Sequence, residues 1–225
     1  IARIRGVRVV WTVHNLRPHD WVMDRVQRCV HAAFLRSISA FISLTESAKQ
    51  AAEDQYPALR NVRSFVVPHG HYAGVYPDSV DRLGARAALG LPVAAKVYLF
   101  FGQIRPYKNL PALIDAFAGI GDADAFLLIA GNPLEAEYGR RIAELAARRE
   151  RGVCELGLVP NERGPVFMRA ADLLVLPYQE ILNSGAALLA LSFRRPVLVP
   201  CAGSMAELEK TFGESWVRTY AGALS

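Results

Sequence analysis

Arg105 and Lys108 stand three residues apart, just past a glycine that ends an apolar run: VYLFF at 97–101 leads into GQIRPYKN at 102–109. The pattern is that of a buried strand, a glycine turn (Gly102), two cations and a helix opening at Asn109. Two cations beside helix-end N–H groups form a site for a phosphate or diphosphate. A second junction of this kind follows: LLVLPY at 173–178, then QEILNSG, then the helix-like AALLALSF. There Ser184 and Gly185 can offer backbone N–H groups to phosphate or sugar oxygens, with Gly185 permitting close approach. Asn183 and Ser184 read equally as helix N-caps, and the two roles are compatible. Glu180 lies in the same turn, where a ligand-contacting carboxylate and a solvent-facing loop carboxylate are the two readings. Two anion-binding turns on one sheet imply a nucleoside-diphosphate ligand.

These residues need a scaffold that brings strand ends together. Short apolar or β-branched runs at 7–13, 40–44, 62–67, 96–101, 125–130, 153–156, 172–176 and 196–199 predict strands. Between them, helical patterns cover 21–36, 46–55, 110–120, 135–149, 161–170, 184–193 and 204–210. In the first of these, Val22, Val26, Cys29, Val30 and Ala33 form an apolar repeat with arginines outside it. Strand–helix alternation predicts an α/β chain of doubly wound parallel sheets. The Pro-, Gly- and Tyr-rich stretch at 68–84 breaks the rhythm, giving a partial N-terminal Rossmann-like domain at 1–76, a linker at 77–86 and a C-terminal domain at 87–225. The chain opens almost directly on a strand pattern without an initiator Met, and ends in AGALS. Both suggest an N-terminal domain lacking earlier units and a C-terminus cut before its closing helices.

Ligands of open parallel sheets bind at the carboxyl ends of strands. His14 after the first strand, Gly102 to Lys108, Gly131 and Asn132, Gly157 to Val159, and the turn from Tyr178 to Gly185 all lie on that edge. Asp122 and Asp124 imitate a metal-binding pair but precede their strand, so no metal site is assigned to them. His14 would face the cleft between the domains, where it could hydrogen-bond a ligand; a histidine satisfied within the fold is the alternative. His19 and His31 have weaker cases.

Composition narrows the field further. At 225 residues and 52% hydrophobic, the chain can bury a sizeable core, and no apolar run is long enough to span a bilayer. Cys29, Cys154 and Cys201 form no C-x-x-C pair, which disfavours a disulfide framework or structural zinc and fits a reducing cytoplasm. The net charge of +5 resides wholly in residues 1–36, where seven Arg oppose two Asp. That patch is a solvated face or a peripheral contact with anionic membrane. Nucleic acid is disfavoured, since no reader motif accompanies the arginines. The absence of G-x-G-x-x-G at any helix start argues against a dinucleotide dehydrogenase.

The junctions, taken in order, resemble the group 1 glycosyltransferases of the GT-B architecture. The matching pieces are TVHNLRPH at 12–19, LTESAK at 44–49, VVPHGHY at 66–72, FFGQIRPYKNLPALIDAF at 100–117, LLIAGNP at 127–133 and AADLLVLPYQEILNSGAALLALSFRRPVLVP at 170–200. The resemblance implies two Rossmann-like domains and transfer of a sugar from a nucleoside-diphosphate donor to an acceptor hydroxyl, in polysaccharide or glycolipid synthesis; metal-independent transfer with no further cofactor is the expectation set beside it. It implies that Arg105 and Lys108 stabilise the departing diphosphate. Gly157, Leu158 and Val159 would flank the nucleotide base. The chain departs from the family in two places. Gln103 fills a slot that often holds Arg. In the last motif, Ile181 and Leu189 occupy the slots of two Glu, the second of which contacts the ribose. Another GT-B enzyme (a nucleotide-sugar epimerase or hydrolase) and a non-catalytic nucleotide-sugar-binding module remain alternatives.

Overall fold

The structure is a computed structural model and describes residues 6–16, 25–77 and 79–224. His19, the arginines at 3, 5 and 17, and the helix expected to start at residue 21 fall wholly or partly outside them. The chain forms two compact units. The first comprises Ile1–Gly70, Ile181–Asn183 and Ala202–Glu207; the second comprises His71–Glu180, Ser184–Cys201 and Leu208–Ser225.

The first unit holds a parallel three-stranded sheet in the order β1 (Val9–Thr12), β2 (Ile38–Ser43), β3 (Arg63–Val66). Helix α1 (Arg25–Ser37) joins β1 to β2, and α2 (Glu46–Gln55) leads towards β3. Thr45 caps α2, its hydroxyl accepting from the Ala48 N–H. Val13, Ile38, Phe41, Ala48, Ala52 and Leu59 form the core, and Leu182 joins them from the distant segment 181–183. Ser204 donates its N–H to Leu182 O at 2.9 Å, tying 202–207 to that segment. Glu207 then accepts from Ser47 N and Ser47 Oγ at 3.1 and 2.7 Å, a carboxylate at the positive end of α2. Helix α1 differs from its expected orientation. None of its residues is buried, and Val26 and Val30 are 69% and 63% exposed. Its half-buried face is Gln27, His31, Ala32 and Leu35, because aromatic partners decide the packing: His31 meets Tyr56 at 5.0 Å between ring centroids.

The second unit is built on a parallel six-stranded sheet in the order β6-β5-β4-β7-β8-β9. The strands are β4 (Lys96–Phe101), β5 (Ala125–Gly131), β6 (Gly152–Leu156), β7 (Leu173–Val175), β8 (Val197–Pro200) and β9 (Val217–Tyr220). Central strands covered on both faces read as unbroken apolar runs, and six of the seven residues of β5 are buried. Helices α4 (Leu110–Ala118), α5 (Ala136–Ala147), α6 (Gly164–Ala170), α7 (Gly185–Ser192) and α8 (Met205–Phe212) connect them. In α4, Leu110, Leu113, Ile114 and Phe117 repeat at helical spacing and all are buried.

Two elements depart from the sequence reading. Strand β9 was not anticipated, since VRTY carries a single buried residue, Val217. The segment read as a linker, 77–86, contains most of α3 (Arg82–Ala88), capped by Asp81 through the Gly84 N–H at 2.8 Å. Arg86 anchors that helix. Fully buried, it pairs with Asp172 at 2.7 Å and donates to the carbonyls of Ala170 and Val93. Asp172 also accepts from the Val97 N–H at 2.8 Å and pairs with the more exposed Arg82.

The chain runs outward from β4 through β5 to β6, then returns to the other flank of β4 at β7. Strand order therefore reverses between β4 and β7, and a crevice opens at such a reversal beyond the carboxyl ends of the strands.

Candidate functional site

Three glycines line that edge. Gly102 follows β4, Gly131 closes β5 and Gly157 follows β6, with φ of 130°, 153° and 141°. They are linked in a row: Gly102 N–H donates to Ala130 O at 3.1 Å, and Gly157 N–H to Gly131 O at 2.9 Å. A Cβ on Gly131 would stand 1.8 Å from the Gly102 carbonyl oxygen, so no side chain fits there. At Gly157 a Cβ would meet open space. Gly131 is thus buried where the turns after β4 and β5 pack backbone on backbone, and Gly157 leaves open space where a ligand can approach the chain.

Lys108 lies against this row. A Cβ on Gly102 would sit 3.5 Å from its Nζ. The helix opens at Asn109 directly after the cations, as the sequence suggested, but a 3₁₀ turn that the sequence did not announce precedes it. Pro106–Lys108 forms a 3₁₀ turn, and Asn109 adopts a left-handed conformation (φ 52°, ψ 42°) before α4. That extra turn carries Lys108 inward, where it is only 9% exposed. Its ammonium stands 4.9 Å from the Tyr178 ring centroid and 5.8 Å from that of Phe100, a cation–π pocket. Among the described residues no carboxylate pairs with it. Burial, and then the nearby charge of half-buried Arg105, push its pKa down to about 8. A cation held dry and without a counter-ion is poised to gain from an arriving anion.

The two loops at the strand reversal meet here. Gln179 N–H donates to Tyr107 O at 2.9 Å, and the Tyr107 and Tyr178 rings pack edge-on at 6.1 Å. Glu180 follows on the exposed rim of this turn. Burial drives the Tyr178 hydroxyl far above its ordinary range, so it stays neutral. Tyr107 and Phe100 were not singled out in the sequence, and Tyr178 was placed only as the start of its turn. The available signal was an aromatic residue closing each of two neighbouring strand runs.

Ser184 takes the capping role of its two expected roles: its Oγ accepts from the Ala187 N–H at 3.2 Å and starts α7. Gly185 follows, half-buried, as the first helical residue. Asn183 belongs to the first unit, where its Nδ2 lies 3.5 Å from His14 O. The structure therefore brings His14 and Asn183 together, with His14 exposed just past β1. Asn132 is exposed and its carbonyl accepts from Ile104 N–H at 2.8 Å, which joins the turns after β4 and β5. Leu158 is 83% exposed, whereas Val159 turns inward to line a small cavity with Leu189. Asp122 pairs with Lys96 and accepts from the Asp124 N–H at 2.9 Å, so both aspartates are engaged in closing a turn.

A sequence profile described as "Glycosyl transferases group 1" matches residues 95–217, more than half of the chain. The chain belongs to the group 1 glycosyl transferases. This group 1 chain is 33% identical over 223 residues to the GDP-mannose:glycolipid 4-beta-D-mannosyltransferase of Xanthomonas campestris pv. campestris, covering 98% of itself and 58% of that protein. It is 29% identical over 221 residues to the 2-deoxystreptamine glucosyltransferase of Streptomyces kanamyceticus, covering 92% and 56%. Among solved structures it superimposes on Anabaena HepE in complex with UDP-glucose with a TM-score of 0.73 at 21% identity, covering 92% of this chain and 57% of that one. Its parallel sheets are those of the GT-B fold. The chain spans a little more than half the length of the curated relatives it matches.

Proposed function

We propose that the protein transfers a sugar from a nucleoside-diphosphate donor to a hydroxyl of a carbohydrate or lipid-linked acceptor. The supporting observation is the convergence, at the strand reversal, of a buried Lys108 that no described carboxylate pairs with and of glycine turns at the strand ends. In the reaction the bond between the anomeric carbon and the diphosphate oxygen breaks. A bond to the acceptor oxygen forms, and the acceptor proton leaves to a base or a phosphate oxygen. The charge develops on the departing diphosphate, and Lys108 with Arg105 stabilises it in a site shielded from water. Gly102 and Gly157 allow the donor to lie on backbone, Gly131 lets the turn beneath them pack closely, and the Gly185 N–H contributes at the start of α7. Glu180 serves the sugar hydroxyls, and His14 with Asn183 serves the acceptor side.

The relative from Xanthomonas is named for GDP-mannose and a glycolipid, and the same classes of donor and acceptor are proposed here. No metal is required in this reading, because two cations already face the diphosphate. Among the described residues no helix is long and apolar enough to cross a membrane. The exposed Arg8, Arg25, Arg28 and Arg36 support a peripheral contact with anionic lipid on the cytoplasmic side, where a lipid-linked acceptor would be met.

Calorimetric titration with GDP, UDP and their sugar conjugates, with and without EDTA, tests the donor site. Saturable binding that survives EDTA and weakens by roughly 1.5–3 kcal/mol in Lys108→Ala is expected. Binding unchanged in Lys108→Ala, or lost with EDTA, would remove the assignment. Binding without turnover on any acceptor would favour a non-catalytic module.

A further inference from the structure

Lys108 and the ring that faces it come from different loops. Lys108 ends the 3₁₀ turn after β4, and Tyr178 lies just beyond the end of β7. Both are almost fully enclosed, at 9% and 8% exposure. Two further rings fix Tyr178, meeting it at steep angles rather than stacking on it: Phe100 at 6.4 Å and 67°, and Tyr107 at 6.1 Å and 69°. The Lys108 ammonium stands over the Tyr178 ring at 4.9 Å from its centroid, nearer than the 5.8 Å to Phe100. Among the described residues that ammonium forms no ion pair and no hydrogen bond.

A ring and a carboxylate hold a lysine in different ways. A carboxylate cancels the charge, and an arriving diphosphate would have to displace it. A ring attracts the cation through its quadrupole but carries no net charge, so the full unit charge stays available to a phosphate. The attraction is also directional, fixing the ammonium over the ring and beside Gly102. Burial opposes it by favouring the neutral amine, and the Arg105 guanidinium, the charged group that acts on Lys108, works in the same sense. The Tyr178 hydroxyl adds no charge, since burial keeps it neutral. The ring face is then what the site offers in favour of the charged form.

We propose that Tyr178 is a positioning residue for donor binding: its ring face, not its hydroxyl, holds Lys108 charged and aimed at the donor's diphosphate. The proposal rests on the donor reading above and adds to it a residue from the second loop. Strand order makes the pairing possible, because β4 and β7 are neighbours at the reversal.

Calorimetric titration of Tyr178 variants with UDP and GDP, between about pH 6 and pH 10, provides the test. Tyr178→Phe keeps the ring face and is expected to bind within about twofold of the unaltered protein, with the same pH dependence. Tyr178→Leu keeps an apolar side chain without the quadrupole. Its affinity at about pH 9 is expected to be about two- to thirtyfold weaker, and its loss of affinity to begin about 0.4–1.5 pH units lower. Phenylalanines bearing one to three ring fluorines at position 178 weaken the quadrupole at nearly constant volume, and serve where Tyr178→Leu does not fold. Affinity is expected to fall stepwise with each fluorine. A loss in Tyr178→Leu that is equal at every pH is what a merely structural role would give. That result, an equal loss in Tyr178→Phe, or affinity indifferent to fluorination overturns the proposal and leaves the donor site standing. Failure of the unaltered protein to bind either nucleotide overturns the donor reading itself, and this proposal with it.

Discussion

Lys108 is one of two cations at the site, but its environment sets it apart from Arg105. Arg105 is half-buried and presents a planar guanidinium fork. Lys108 is enclosed by Phe100 and Tyr178, and its folded pKa of about 8 lies below the ordinary 10.5. Below pH 8 it is charged both folded and unfolded, and the folded state bears the full cost of burying it. That cost is relieved as pH rises from about 8 towards 10.5, where only the unfolded lysine still holds its proton. Donor binding has the opposite dependence. A diphosphate favours the protonated amine, so affinity is full below pH 8 and falls by about tenfold per unit above it. Titration in buffers of different ionisation enthalpy should show net proton uptake near pH 8, absent in Lys108→Arg. An affinity flat from pH 7 to 9.5 would remove Lys108 from contact with the phosphates. The spacing of Arg105 and Lys108 after Gly102 was legible in the sequence because strand end, turn and cations are contiguous. The aromatic enclosure was not legible, because Tyr178 lies 70 residues beyond Lys108 and only the sheet order brings it near.

At the scale of elements, the sheet of the second unit could be read from pattern alone where strands are buried on both faces. The limits of β4 match the apolar run at 96–101, and Leu110 to Phe117 of α4 show the expected repeat. Elements held by polar contacts remote in sequence left no such trace. Helix α3 lies in a stretch whose Pro and Gly content suggests a loop, and Arg86 with Asp172, 86 residues apart, secures it. Asp172 meets two arginines of contrasting exposure, 0% for the Arg86 side chain and 49% for that of Arg82. Arg86→Leu breaks a buried pair and strands two carbonyl acceptors, and should cost about 3 kcal/mol in urea unfolding. Arg82→Ala removes an exposed pair and should cost no more than about 1 kcal/mol. Equal costs would mean that α3 is held by its apolar contacts and that the buried charge contributes little.

At the scale of the whole molecule, the units are not contiguous in sequence, a feature that a boundary placed at 76/77 by composition could not anticipate. Ile181–Asn183 and Ala202–Glu207 join the first unit through Leu182 in its core and Glu207 at the start of α2. Burial alone would raise the Glu207 pKa, yet hydrogen bonds from Ser47, the Glu46 backbone and Thr45 together hold it below the ordinary value. Its contribution is therefore present above the unfolded carboxylate pKa and is lost as pH falls through the folded one. Glu207→Ala should destabilise the protein by about 1–2 kcal/mol near neutral pH, with the difference from the unaltered protein vanishing in acid. A difference that persists at low pH would point to packing rather than charge. The same discontinuity bears on synthesis. A chain leaving the ribosome at about 5–20 residues per second exposes residues 1–70 roughly ten seconds before Glu207 is made. For most of that interval the core around Phe41 lacks Leu182, and throughout it α2 lacks the Glu207 carboxylate that accepts from its first turn. Nascent chains of this protein would therefore spend that interval as clients of chaperones that recognise open apolar surface, and codon changes between 76 and 207 would alter its yield without altering its sequence.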